Sequence, residues 1–413
     1  MQNGYKKLML GVLCSSVLFL SACGDDDNND IFVPQPKIFL SEQAYTKDVI
    51  TQASSIRVMR YNMPNVQGNT AEATALVIYP RTPQPRDGWR VVVWEHGTVG
   101  SGDSCAPSSN ILNPRFKIMA ESLLAKGYVI VAPDYEGVGT RGIHPYLHLK
   151  SAAQSAIYAV KGFKQQQGDK FNGAWVSVGQ SQGGHASLGT AEFAGNDPNY
   201  KAAVAAAPAS SLGYIIGTVA PQALNKLILG EGAGAVQPGT AKAVYSELLA
   251  YAAYVGVGIK AYEPNFAYQD IFESTSELVA ERAEGTTGEN GLCLENLMTA
   301  FSTDIDQWLQ QNPGKTVVDY PGLTDNFDQN LSVKNFLRDN QPATKKINVP
   351  VMIIQGKEDM AVPYDVTDAL QKNLAALGTD VTFLGVDGAS HTQAIVLKNT
   401  ELVEFIEENM PAK

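Results

Sequence analysis

Ala174-Trp175-Val176-Ser177-Val178-Gly179-Gln180-Ser181-Gln182-Gly183-Gly184-His185-Ala186-Ser187-Leu188-Gly189-Thr190-Ala191 is the stretch whose reading decides the fold. Its first five residues are apolar and partly β-branched, the pattern of a buried strand. Its last eight, from Gly184, read as a helix. Between them Gly179-Gln180-Ser181-Gln182-Gly183 has the G-x-S-x-G form, with serine at the apex of a sharp turn. A lone G-x-S-x-G carries little information, because Gly and Ser are common in loops. Strand before and helix after is the context that makes it a nucleophile elbow. The glycines belong there because such a turn is strained and side chains would strike the adjoining strand and helix. Ser181 is therefore the candidate nucleophile, with an ordinary structural turn as the alternative.

Working outward, segments 73–80, 89–95, 127–133, 174–179, 201–206 and 350–355 are continuous apolar runs bounded by turn residues. Strands buried on both faces look like this, which points to a mostly parallel sheet. Stretches 114–126 and 149–166 between them repeat apolar residues at three- and four-residue spacing, the mark of amphipathic helices. Alternating strand and helix predicts an open α/β sheet with helices on both faces. The folded part is expected to start near Phe39, and no solenoid-period repeat is present.

An elbow serine on such a sheet is the plan of the α/β-hydrolase fold, in which an acid and then a histidine follow the serine along the chain. Of the five histidines (His96, His144, His148, His185 and His391), only His391 lies beyond all the strands named. It stands in a loop between strand 381–386 and a helix beginning near Gln393. The acid belongs just past the next-to-last strand, in Lys357-Glu358-Asp359-Met360-Ala361-Val362-Pro363. Asp359 is the choice, with Glu358 and then Asp387 as competitors. A capping role for Asp359 is disfavoured, because the helix expected at Pro363 starts four residues later.

Ser181 is a poor nucleophile until a neutral imidazole takes its proton, so His391 is the expected base and Asp359 the group that orients it. A tetrahedral oxyanion needs preorganised donors. The backbone N–H of Gln182 is one. The N–H of Thr98, in the loop after strand 89–95, is the other, and its hydroxyl can add a further bond. His96 reads as a structural residue of that loop, and His185 as a helix-packing residue.

The chain of 413 residues is 44% hydrophobic, enough for one large domain with an insertion or for two domains. Between Ser181 and Asp359 the fold needs roughly 60–80 residues of helix and strand at usual element lengths, and the segment is far longer. The surplus, about 210–345, is read as a helical cap. Its apolar runs near 212–219, 227–229 and 251–259 serve either a mobile lid shaping an acyl site or a plain helical subdomain with its own core.

The first 22 residues read as an address: Lys6-Lys7, an apolar run from Leu8 to Leu20, and Leu20-Ser21-Ala22 ahead of Cys23, like a bacterial lipobox. Lipidation at Cys23 would make the protein a cell-envelope lipoprotein, at the outer membrane or cell surface. A plain secretory peptide or an anchor helix is the alternative. Residues 23–38, acidic and then proline-bearing, read as a solvated tether, and residues 39–413 as the hydrolase domain. Once Cys14 departs with the signal and Cys23 is lipidated, Cys105 and Cys293 remain. Export permits a disulfide between them that clamps the cap to the core; two buried thiols are the alternative.

A net charge of −11 argues against nucleic acid as a partner. No Cys/His cluster has metal-ligand spacing and no phosphate-binding glycine loop follows a strand, so neither a metal nor a cofactor is expected.

Ser104-Cys105-Ala106-Pro107-Ser108, Ala132-Pro133-Asp134-Tyr135-Glu136-Gly137, His144-Pro145-Tyr146-Leu147 and the Gln-Ser-Gln-Gly-Gly elbow together resemble the secretory lipase family of yeasts and bacteria. The likeness runs in order from about residue 90 to the end, matching 210–345 only in length and general character. The resemblance implies an acid and a histidine at Asp359 and His391, and hydrolysis of carboxylic esters, acylglycerols foremost. A lipobox in place of free secretion is a departure that bears on location and leaves the chemistry alone. Two other classes stay in view: a serine peptidase of the prolyl-oligopeptidase kind, which would carry a large N-terminal propeller, and a non-catalytic surface-binding lipoprotein, which would tend to have lost triad residues.

Overall fold

The computed structural model describes residues 37–412. The signal peptide, Cys23 and most of the tether expected from sequence lie outside the described residues.

Nine strands form one sheet in the order β1-β2-β3-β5-β4-β6-β7-β8-β9. They are β1 Phe39–Ala44, β2 Ala53–Pro64, β3 Thr70–Pro80, β4 Trp89–Glu95, β5 Val129–Pro133, β6 Phe171–Gln180, β7 Tyr200–Ala206, β8 Val351–Gly356 and β9 Val381–Val386. From β5 through β4 to β9 every pairing is parallel, with Val93 beside Val131 and Ala206 beside Ile354. The β1–β2, β2–β3 and β3–β5 pairings are antiparallel.

Two strands, β1 and β2, precede the first one expected near residue 73. The signal sought was a continuous apolar run, and β2 lacks one: Ser54, Ser55 and Arg60 face solvent while Met59, Tyr61 and Met63 are buried. An antiparallel strand with one wet face alternates, so it escapes a search tuned to parallel strands. The central strands are buried on both faces. In β4, Val92 and Trp94 join the core on one side while Val91 and Val93 join the core on the other, as a side-chain period of two requires.

Helices α1 (Pro114–Lys126), α2 (Leu149–Gln167) and α3 (Gln182–Ala194) follow β4, β5 and β6. Local chemistry sets their ends: the Asn113 side chain accepts the Arg115 N–H at 2.9 Å and Pro114 opens α1, while Gly127 closes it at φ 99°. Phe116 and Leu123 of α1 pack on one face of the sheet, Phe163 of α2 and Leu188 of α3 on the other.

Between β7 and β8 run α4 (Leu212–Tyr214), α5 (Ala220–Gly232), α6 (Thr240–Lys260), α7 (Ser274–Ala280), α8 (Leu294–Gln311) and α9 (Leu331–Asp339). These helices build a core of their own, with Ala253 and Val257 of α6 against Phe301 and Ile305 of α8 and Phe336 of α9. Every residue from 252 to 259 is buried, so α6 presents no free apolar face of the kind a mobile lid needs. Exposed apolar side chains stand elsewhere in the insertion: Tyr214 of α4, Leu229 of α5, Leu278 of α7 and Leu331 of α9. After β8 come α10 (Tyr364–Ala376), β9, and then α11 (Ala394–Leu397) and α12 (Asn399–Asn409).

Candidate active site

Ser181 sits between β6 and α3 at φ 59°, ψ −118°, a conformation that a non-glycine residue holds only under strain. The turn is possible because its flanks carry no side chains. A Cβ on Gly179 would run into the carbonyl of Gly183, and a Cβ on Gly183 into the carbonyl of Glu95. Ser181 is held from its backbone: its N–H donates to Ala206 O at 2.9 Å, and its carbonyl accepts from His185 and Ala209. Gln182 and Thr98, the residues expected to supply oxyanion donors, lie beside it, Gln182 as the first residue of α3 and Thr98 in the loop after β4.

The loop after β8 brings Asp359 to His391. His391 Nδ1 lies 2.7 Å from Asp359 Oδ2, and the Asp359 side chain has no solvent exposure. The same oxygen accepts from Gln355 Nε2 at 2.8 Å, while Oδ1 accepts the N–H groups of Ala361 and Val362 at 2.9 and 2.8 Å. The two competitors are elsewhere. Glu358 is exposed, and Asp387 pairs with Lys357 at the surface. From the other side, the elbow's Gln180 donates its amide to the His391 carbonyl at 3.1 Å.

Ser181, Thr98 and His391 line a cavity of about 410 Å³. Among the described residues the Ser181 hydroxyl makes no hydrogen bond, so it and the imidazole share the cavity without being joined. The cavity reaches into the sheet core beside Leu76, Trp94, Phe116, Ala132 and Ile395, and the cap contributes Glu247, Tyr251 and Leu294. A larger cleft, about 630 Å³, lies along β2 and β3 beside Arg60 and Arg141, and none of the candidate site residues borders it.

His96 and His185 are held as packing residues. His96 packs on Tyr135 at 4.4 Å between ring centres and bonds the Gly97 carbonyl through Nδ1. His185 is buried, with Nε2 2.8 Å from the Asn340 carbonyl. Burial pushes His144, His148 and His185 down to about 4, so all three are neutral near pH 7. Glu95, at the end of β4 beneath the elbow, is fully buried and receives one bond, from Thr190 Oγ1 at 2.8 Å. Desolvation raises its carboxyl well above the usual range, leaving it protonated.

Cys105 and Cys293 form a disulfide with their Cα atoms 5.4 Å apart. It belongs to a wider seam between the loop after β4 and the start of α8. Gly100 pairs with Cys293 in an isolated antiparallel bridge, Leu294 N–H donates to Val99 O at 2.9 Å, and Asp103 N–H to Glu289 O at 2.8 Å. Sequence reasoning missed the seam's backbone half and the contacts of His144 and Tyr146, because nothing local to those residues announces partners so far along the chain.

A mostly parallel sheet with helices on both faces, an elbow serine after β6 and a helical insertion before β8 define an α/β hydrolase. The model of the secretory lipase family matches residues 114–413, and the chain belongs to that family. It is a carboxylic ester hydrolase of the lipase and esterase type, acting on ester or lipid substrates. No functionally curated protein matches the chain by sequence. Among solved structures it is similar to Candida antarctica lipase A in its closed state, with 15% identity and a TM-score of 0.65 over 90% of this chain and 81% of that one. A variant of the rice cell wall degrading esterase LipA from Xanthomonas oryzae aligns with 16% identity and a TM-score of 0.64, over 90% of this chain and 98% of that one.

Proposed function

We propose that Ser181, His391 and Asp359 act as a catalytic triad that hydrolyses acylglycerols through an acyl-enzyme. The observation that carries the reading is the convergence of a strained elbow serine and a buried-carboxylate–imidazole pair on one partly apolar cavity. Bonding of Nδ1 to Asp359 leaves His391 Nε2 as the free base. Ser181 Oγ attacks the ester carbonyl carbon as its proton passes to Nε2. The N–H groups of Gln182 and Thr98 receive the oxyanion. As the intermediate collapses, the imidazolium gives its proton to the departing alkoxide, and a water molecule then repeats the sequence on the acyl-serine. Asp359 keeps its charge throughout, stabilising the imidazolium. The apolar wall of Leu76, Trp94, Phe116 and Ile395 supports an acyl chain as the group held.

The test is turnover of p-nitrophenyl esters and emulsified glycerides, set against peptide nitroanilides, with covalent labelling by a fluorophosphonate. Ester turnover and one label per chain, both lost in Ser181→Ala, are expected. Nitroanilide cleavage without ester cleavage, or full activity in Ser181→Ala, would overturn the reading.

We also propose that the mature chain begins at a lipidated Cys23 and stands on the cell envelope, at the outer membrane or cell surface, by its acidic tether. The residue pattern from Lys6 to Cys23 supports this. Incorporation of labelled palmitate that persists in Cys23→Ala would refute it.

A further inference from the structure

The loop after β4 and the first residue of α3 carry the proposed oxyanion donors, and one short segment touches both. Tyr146 OH lies 2.8 Å from Thr98 Oγ1, and His144 Nε2 lies 3.2 Å from the side-chain Nε2 of Gln182. In each pair the direction of the bond follows from what else the atoms can reach. Tyr146 is buried, and among the described residues its hydroxyl has no partner except Thr98 Oγ1. A buried phenol proton without an acceptor is costly, so Tyr146 donates and Thr98 accepts. The Thr98 hydroxyl proton is thereby released from that bond, on a residue that lines the cavity with Ser181 and His391. His144 Nδ1 lies 2.8 Å from the Glu136 carbonyl, which can only accept, so Nδ1 bears the proton. Its bare Nε2 then accepts from the Gln182 amide, consistent with an imidazole that burial keeps neutral.

We infer that His144-Pro145-Tyr146 is a brace for the oxyanion hole, in which Tyr146 turns the Thr98 hydroxyl toward the developing charge as a third donor and His144 fixes Gln182. Thr98 is then a catalytic residue, and Tyr146 and His144 are positioning residues. A hydroxyl that is itself hydrogen-bonded by a donor becomes a better donor in turn. The brace is anchored by packing on the cap: Tyr146 stands 5.5 Å, centre to centre, from the Tyr254 ring, and its carbonyl lies where a side chain on Gly258 of α6 would be. The inference rests on the triad reading above, since without acyl transfer there is no oxyanion to stabilise.

The experiment measures kcat and KM on a soluble p-nitrophenyl ester, per fluorophosphonate-titrated site, with thermal unfolding as a fold control. Tyr146→Phe and Thr98→Val should each lower kcat about tenfold, the loss of one modest transition-state bond, with KM unchanged. Their double variant should be no slower than the slower single, because both remove the same bond. Thr98→Ser should restore the rate. In the second arm His144→Gln, which keeps an acceptor near the Nε2 position, should exceed His144→Leu in kcat; this arm and the Thr98 pair decide the matter if Tyr146→Phe does not fold. Wild-type kcat in both Tyr146→Phe and Thr98→Val, losses that multiply in the double variant, or a change in KM at constant kcat would overturn the inference. Those outcomes leave the triad reading standing if Ser181→Ala is inactive; an active Ser181→Ala removes both.

Discussion

The ends of strands β8 and β4 each carry a buried carboxyl group, and the two are supplied with hydrogen bonds very differently. Asp359, after β8, receives two backbone N–H groups, the Gln355 amide and the His391 imidazole. Glu95, at the end of β4, receives one hydroxyl, and its Oε2 has no partner. Burial disfavours a charge at Glu95, and one hydroxyl donor offsets little of that cost. Four donors equip Asp359 to face an imidazolium, whereas one leaves Glu95 a neutral acid filling space under the elbow. Depth does not make a carboxylate catalytic. What sets Asp359 apart is its donor supply and its bond to the imidazole of His391, which lines the cavity.

The largest effect that tests this contrast is on turnover. Asp359→Asn should cut kcat by on the order of 10³ or more, while Glu358→Gln and Asp387→Asn stay near wild type in steady-state ester assays. A harmless Asp359→Asn beside a damaging Glu358→Gln would move the acid. Next in size is the pH profile. His391 must be neutral to act as base, so kcat/KM should fall about tenfold per pH unit on the acid side of the profile, where the imidazole takes up a proton. A flat profile from pH 8 to 5 would deny His391 that role.

Smaller effects fall on stability. The folded state holds Glu95 protonated while the unfolded chain releases that proton above the ordinary carboxyl range. Stability is therefore lost as pH rises from that value toward the raised one. Glu95→Gln should raise unfolding free energy at pH 8, and the gain should shrink toward pH 4, with ester turnover unchanged. Chemical denaturation at the two pH values reads this directly, and an equal gain at both would show that Glu95 does not titrate as argued. Smallest is Thr190→Val, which removes the one donor to Glu95 and should cost about 1 kcal/mol, a single buried hydrogen bond. Made in Glu95→Leu instead, it should cost nothing of that kind.

How much was legible from the chain follows from where each signal lies. Ser181, Asp359 and His391 could be chosen because an elbow, a strand-end loop and a last histidine are local or ordinal features. The alternation in β2 is present in the sequence, but it is the pattern of a strand with one wet face and differs from the continuous apolar runs of the parallel strands. The run from Tyr251 to Ile259 is apolar all the way around, and a helix without a polar face belongs in a core; residues 252–259 of α6 are buried accordingly. The partners of His144 and Tyr146 could not be read. They lie 38 and 48 positions away and meet only because the segments after the parallel strands β4, β5 and β6 all emerge at the carboxyl ends of those strands.

The bond between Cys105 and Cys293 spans 188 positions, and both Ser181 and the exposed Leu229 of α5 fall within that span. A protease cutting α5 would therefore produce two polypeptides, one carrying Ser181 and the other Asp359 and His391. The sulfur–sulfur link would keep them one molecule. Such a nicked protein should run as a single full-size band without reductant and as two fragments with it, and it retains a covalent tie between the proposed nucleophile and its base that an uncrosslinked chain would lose.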